Sequence, residues 1–143
     1  MIYWDSSAVV PLLVEEPNTP RVRALLRREE PMIVAWTTSI ECLSALMRLQ
    51  RMGGLTVAAV EVARARLHQL TPTWHELVPN EATRGHAGRL LLRHPLRAAD
   101  AFQLGAAMTW ARGQPSGHRF ATLDERLASA ARGEGFALPL QSA

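Results

Sequence analysis

A single α/β domain built on a mostly parallel sheet of four to five strands is what this 143-residue chain predicts, on three observations. Short runs of β-branched and aromatic residues, such as Ile2-Tyr3-Trp4 and Met32-Ile33-Val34, punctuate the chain. Segments of helical period separate each such run from the next, which is the order that crossover connections require. The length suits one domain of ordinary size, and no internal repeat, domain boundary or low-complexity stretch interrupts it.

The first strand runs straight into Asp5, Ser6 and Ser7, a carboxylate and two small hydroxyl residues at the head of a helix expected over residues 6–16. Pro11 lies within that helix and should kink it or set its true start. After a loop at 17–20, a short basic amphipathic helix is expected over 21–28, followed by a buried second strand over 32–36. Thr37-Thr38-Ser39 caps a helix from 40 to about 52, with Leu43, Leu46 and Met47 as its apolar stripe and Gly53-Gly54 as its stop. A helix from 56 to about 70 carries Val60, Ala63 and Leu67 on one face. Pro72 breaks the chain before a third strand over 74–78. Helices over 81–93 and 96–112 come next, the second being the most apolar of the chain. A loop at 113–117 leads to a short fourth strand over 119–121, a helix over 123–132 closed by Gly133 and Gly135, and an edge strand over 136–138.

Composition narrows the function classes. With 48% apolar and 20% charged residues the chain is globular in type. No apolar run reaches the roughly 18 residues of a membrane span, and Asp5 falls where a secretory leader would be basic or apolar. The one cysteine, Cys42, has no disulfide partner within the chain, so a reducing, cytoplasmic setting is expected. All 16 basic side chains are arginine. Without lysine there is no Walker-type phosphate lysine, no Schiff base and no lysine partner for a phospho-aspartate. The net charge of +3 permits an anionic partner, and arginine suits phosphate. The histidines show neither H-x-H nor H-E-x-x-H spacing, which sets zinc aside. Trp36, at a strand end, has two readings, a base-stacking surface or a core residue.

Aspartate is scarce: Asp5, Asp100 and Asp124 are the only three, beside ten glutamates. Asp5 follows a strand and serves equally as a helix cap or as part of an acidic site. Glu41 lies three residues after Thr38, the capping-box spacing, and read alone it favours a cap. Asp124 follows the fourth strand, where Thr122 and Glu125 could form another capping box. Asp100 resists such a reading. Its helix is apolar all round and should be buried, and a buried carboxylate needs a partner, a metal or a raised pKa. Its structural alternative is an ion pair with Arg97. All four stand in or near the first turn of a helix, and in a doubly wound sheet such points converge at one edge. Carboxylates about 4 Å apart repel by roughly 4 kcal/mol per pair at an effective dielectric near 20, so the cluster calls for a cation. Oxygen ligands suit Mg²⁺ or Mn²⁺, and the matching chemistry is attack of activated water on a phosphodiester.

The segments Ile2-Tyr3-Trp4-Asp5-Ser6-Ser7-Ala8, Thr38-Ser39-Ile40-Glu41, Leu96-Arg97-Ala98-Ala99-Asp100-Ala101-Phe102-Gln103-Leu104 and Phe120-Ala121-Thr122-Leu123-Asp124-Glu125-Arg126-Leu127 resemble, in order and spacing, the signature segments of the PIN-domain family, in particular its VapC toxins. The resemblance implies a three-layer α/β/α sandwich and a Mg²⁺- or Mn²⁺-dependent endoribonuclease. Its substrate would be RNA and its inhibitor a cognate antitoxin protein, and the family is usually homodimeric. It makes Asp5, Glu41, Asp100 and Asp124 the catalytic and metal-binding quartet, with Ser6 and Thr122 in support, and leaves Arg97 without an assigned role. Two other functions compete. A non-catalytic RNA-binding module of the same fold would not need the intact quartet. A phospho-aspartate signalling or phosphatase domain would need a lysine, or an Asp-x-Asp after the first strand.

Overall fold

The computed structural model describes residues 1–141. Its strands are β1 (Ile2–Trp4), β2 (Met32–Ala35), β3 (His75–Leu77) and β4 (Phe120–Ala121). Its helices are α1 (Ser6–Leu13), α2 (Thr19–Leu26), α3 (Thr38–Arg51), α4 (Val57–Leu70), α5 (Glu81–Arg93), α6 (Ala98–Trp110) and α7 (Glu125–Glu134), with a 3-10 turn at Thr71–Thr73. The strands pair in parallel in the order β3-β2-β1-β4. β1 is therefore interior, and Asp5 leaves its carboxyl end bonded through its backbone N–H to the Ala121 carbonyl at 3.0 Å.

The two-residue period of the strands divides the core. Ile2 and Trp4 of β1 join Met32, Val34 and Ala121 in one cluster, closed by side chains of α1 to α4 such as Val9, Val22, Leu46 and Leu67. Tyr3, between them, joins Ile33, Ala35 and Phe120 in the other, closed by Leu90 of α5, Leu104 of α6 and Leu127 of α7. Helices thus cover both faces of the sheet, giving the expected three-layer α/β/α sandwich. Burial on both faces is also why β1 and β2 are apolar at every position.

Several element ends shift by one or two residues from expectation, α7 running through Gly133 to Glu134, and three differences have a clear local reason. α1 ends at Leu13, short of residue 16. The Thr19 hydroxyl reaches the Pro11 and Val14 carbonyls at 2.8 and 3.2 Å while accepting the Glu16 N–H at 2.9 Å, which turns the chain out of the helix. The edge strand expected over 136–138 is one parallel bridge, Arg119 to Ala137, beside β4. Trp36 lies beyond β2 and is 58% exposed, so it belongs to the surface and not to the core. The end of α3 follows the reading: Gly53 takes φ +79°, and the Gly54 N–H closes on the Leu49 carbonyl at 2.8 Å. Among the described residues no helix is long and apolar enough to cross a membrane.

α6, which carries Asp100, is held against α5 by a close backbone approach at Gly105. A Cβ built there would lie 3.0 Å from the Thr83 carbonyl oxygen and 3.1 Å from the Ala87 nitrogen. Backbone cannot swing aside as a side chain can, so the helices must part. Gly105→Ala is expected to lower stability by about 1 to 3 kcal/mol in urea unfolding, despite alanine's better helix propensity. Gly88→Ala on α5, where a Cβ meets nothing within 4 Å, should instead raise it by up to about 1 kcal/mol.

Candidate active site

At the carboxyl edge of the sheet, the ends of β1 and β4 and the first turns of α3 and α6 surround one open cleft of about 1010 Å³. Asp5, Glu41, Asp100 and Asp124 all line it, together with Ser6, and Arg48, Arg97 and Arg126 add positive charge to the same lining. Thr122 lies behind this surface, fully buried, with its hydroxyl on Asp5.

Asp5 is both a cap and a cleft residue. Its Oδ2 accepts from the Ser7 N–H at 3.2 Å, the Ser7 hydroxyl at 2.6 Å and the Thr122 hydroxyl at 3.0 Å. Its Oδ1 receives no protein hydrogen bond among the described residues. Ser7, to which the sequence assigns no site role, also accepts the Leu123 N–H on its Oγ at 2.9 Å, and Thr122 Oγ1 accepts the Asp124 N–H at 3.1 Å. These two hydroxyls lock the end of β1 to the turn after β4. Asp124 in turn caps α7, its Oδ1 accepting from the Leu127 N–H at 2.8 Å, so the capping box of Thr122 with Glu125 does not form.

Glu41 makes no capping box either: the cap residue of α3 is Thr37, and it makes no side-chain cap bond. The Glu41 carboxylate is gripped from three sides instead. Its Oε2 accepts from the Ser6 hydroxyl at 3.0 Å, and its Oε1 from the Thr37 hydroxyl at 3.0 Å and the Gln103 amide Nε2 at 2.8 Å. Gln103 is the residue that reasoning from sequence missed. It is a polar side chain in the apolar run of α6 and fully buried, so the argument applied to Asp100 would have found it. Asp100 itself is only half-buried: it lies in the first turn of α6, and that helix, with Phe102 exposed, is not enclosed all round as expected. The alternative ion pair with Arg97 does not form among the described residues.

Burial dominates the electrostatics of Asp5 and pushes its carboxyl up to about 6, against the lowering effect of the Ser7 and Thr122 hydrogen bonds and with a further push from Glu41. Tyr3, beneath it, is raised well above the ordinary phenol value by burial and then by Asp5 and Glu41. Burial, followed by the same two carboxylates, pushes the Cys42 thiol to about 12, which leaves it inert. Among the described residues no three His, Cys, Asp or Glu side chains are arranged to enclose a metal ion by themselves. A carboxyl that titrates higher in the folded chain than in the unfolded one favours folding at low pH and loses that contribution as the pH rises. For Asp5 the window runs from about 4 to about 6. Asp5→Asn keeps an acceptor for the Ser7 N–H and removes the desolvated charge. In EDTA at pH 7.5 it should stabilise the fold by about 1 to 3 kcal/mol in urea unfolding, an advantage that vanishes near pH 4.

The whole arrangement has known relatives. The PIN domain family model matches residues 2–133. A protein of Mycobacterium tuberculosis named Ribonuclease VapC3 is 39% identical over 127 residues, which cover 88% of this chain and 84% of the relative. The crystal structure of FitAcB from Neisseria gonorrhoeae superposes with a TM-score of 0.72 at 21% identity, over 99% of this chain and all of the other. A toxin–antitoxin complex from Klebsiella pneumoniae does so with a TM-score of 0.61 at 12% identity, over 88% of each chain. The family model spans nearly the whole fold, and the acidic cleft lies within the matched residues: this chain belongs to the PIN-domain family and is a relative of the VapC ribonucleases.

Proposed function

We propose that this protein is a divalent-metal-dependent endoribonuclease and the toxin of a type II toxin–antitoxin pair, with Asp5, Glu41, Asp100 and Asp124 as its metal-binding and catalytic residues. The observation that carries the reading is the gathering of all three aspartates of the chain and Glu41 on one cleft. A cluster of like charges, one of them buried with an oxygen left over, is unfavourable until a cation joins it.

The residues fit Mg²⁺ or Mn²⁺. The donors are all oxygen, and Mg²⁺ keeps several waters and needs only one or two direct carboxylates, so a set too open to enclose a bare ion still suits a hydrated one. When bound, such an ion supplies Lewis-acid catalysis and a nucleophilic water at neutral pH. The chain itself supplies position. Ser6 holds Glu41, and Thr122 with Ser7 holds Asp5. Arg48, Arg97 and Arg126 are suited to backbone phosphates entering the cleft. The exposed indole of Trp36 is suited to stacking on a base.

RNA as the substrate follows the VapC relative, and an antitoxin partner follows the toxin–antitoxin complex whose fold the chain shares. Ile40 and Phe102 expose apolar side chains near the starts of α3 and α6, which supports a homodimer. The lone, buried Cys42 supports a cytoplasmic setting.

The test is cleavage of end-labelled single-stranded RNA by the purified chain. Cleavage is expected with Mg²⁺ or Mn²⁺, to stop in EDTA, and to fall by at least about a hundredfold in Asp100→Asn with an unchanged circular dichroism spectrum. Cleavage at the wild-type rate by that variant would contradict the assignment. RNA binding without cleavage in either metal would favour the non-catalytic module.

A further inference from the structure

We propose that Gln103 is a positioning residue, anchored by Tyr3, that fixes the carboxylate of Glu41 at the cleft. The inference rests on the nuclease reading of the cleft and extends it to two residues that never touch substrate.

The chemistry of the groups fixes the direction of the chain of bonds. A carboxylate only accepts, so the Gln103 amide turns its NH₂ toward Glu41 Oε1, 2.8 Å away. The same nitrogen has a longer contact, 3.4 Å, with the buried Thr38 hydroxyl. The amide oxygen must then face the other way, where it accepts from the Tyr3 hydroxyl at 2.6 Å. Tyr3 is itself immobile. It is fully buried on the central strand, stacked on Phe120 at 5.0 Å between ring centroids and tilted against Trp110 at 6.4 Å. The relay therefore runs from the aromatic core of one layer, through a buried amide on α6, to a carboxylate on α3.

A buried amide is costly unless its groups are paired, and a single apolar residue would fill the same space. Here both ends of the amide are used and one end bears on a cleft carboxylate. That expense is explained if the orientation of Glu41 matters. The Ser6 and Thr37 hydroxyls also hold Glu41, but Ser6 is a rotatable side chain at the cleft and Thr37 an exposed one. Of these three partners of Glu41, Gln103 is the one whose orientation the core dictates.

Three variants test this: Gln103→Met, which keeps the volume and deletes the amide; Tyr3→Phe, which deletes only the hydroxyl; and the two combined. Each single variant should lower kcat for RNA cleavage by about tenfold to a hundredfold with KM nearly unchanged, and weaken Mn²⁺ binding by calorimetry to a similar degree. The double variant separates positioning from stability. With both partners apolar its Tm should return toward wild type, while kcat and Mn²⁺ affinity stay at the Gln103→Met level. Recovery of activity along with Tm, or wild-type kcat in Gln103→Met, would overturn the proposal. Crystal structures of Gln103→Met and Tyr3→Phe decide it independently of nuclease activity. Displacement of the Glu41 carboxylate from Ser6 or Thr37 is expected, and an unmoved Glu41 in both overturns the relay even if the chain cleaves RNA. A wild-type chain that cleaves no RNA, combined with a displaced Glu41 in the variants, would instead count against the nuclease reading alone.

Discussion

The carboxylate of Asp5 is buried because the chain gives it no other place to go: the central strand of a sheet covered on both faces ends on it. Burial raises its titration to about 6, and three hydrogen bonds to a single oxygen only partly offset that cost. The other oxygen is left over at the cleft. Groups held in this unfavourable way persist where function needs them, and the usual sign is that neutralising the charge stabilises the fold while removing the activity. The hydroxyls of Ser7 and Thr122, the register of β1 against β4 and the cap of α7 all serve to keep this one carboxylate in position.

The sheet topology does the rest. Because β1 is flanked by β2 and β4 in parallel, the ends of all three strands point to one edge. The helices that start there bring in Glu41 and Asp124, while Asp100 arrives from α6, fixed to α5 through the close backbone contact at Gly105. Side chains that alternate along β1 then divide the labour. Ile2 and Trp4 anchor one helical layer, and Tyr3 anchors the other and reaches Gln103. Core and cleft share the same residues, so the geometry of the site inherits the rigidity of the packing.

Much of this was legible in the sequence. Buried strands announce themselves as continuous apolar runs, and the order of runs and helical segments specifies the α/β class without reference to any contact. The carboxylates were legible because each follows a strand or opens a helix, a position set by local rules. What escaped depended on contacts between distant segments. The end of α1 is decided by Thr19 reaching back to Pro11 and Val14. The exposure of Asp100 is decided by where α6 meets its neighbours, a distinction that the composition of the helix conceals. Glu41 looked like a cap because two of its three partners, Ser6 and Gln103, are 35 and 62 residues away. Gln103 carries no charge and so raised no alarm in an apolar run, although an amide buried there poses the same question as a carboxylate.

The convergence of carboxylates at the sheet edge is proposed to be a divalent-cation site. Crystals soaked in Mn²⁺ and measured at a wavelength where manganese scatters anomalously test it most directly. An anomalous peak is expected in the cleft, in contact with Asp5 or through water with its carboxylate neighbours, and it should disappear in the Asp5→Asn protein. A cleft without a peak in fully soaked wild-type crystals, or a peak that survives the substitution unchanged, would contradict it.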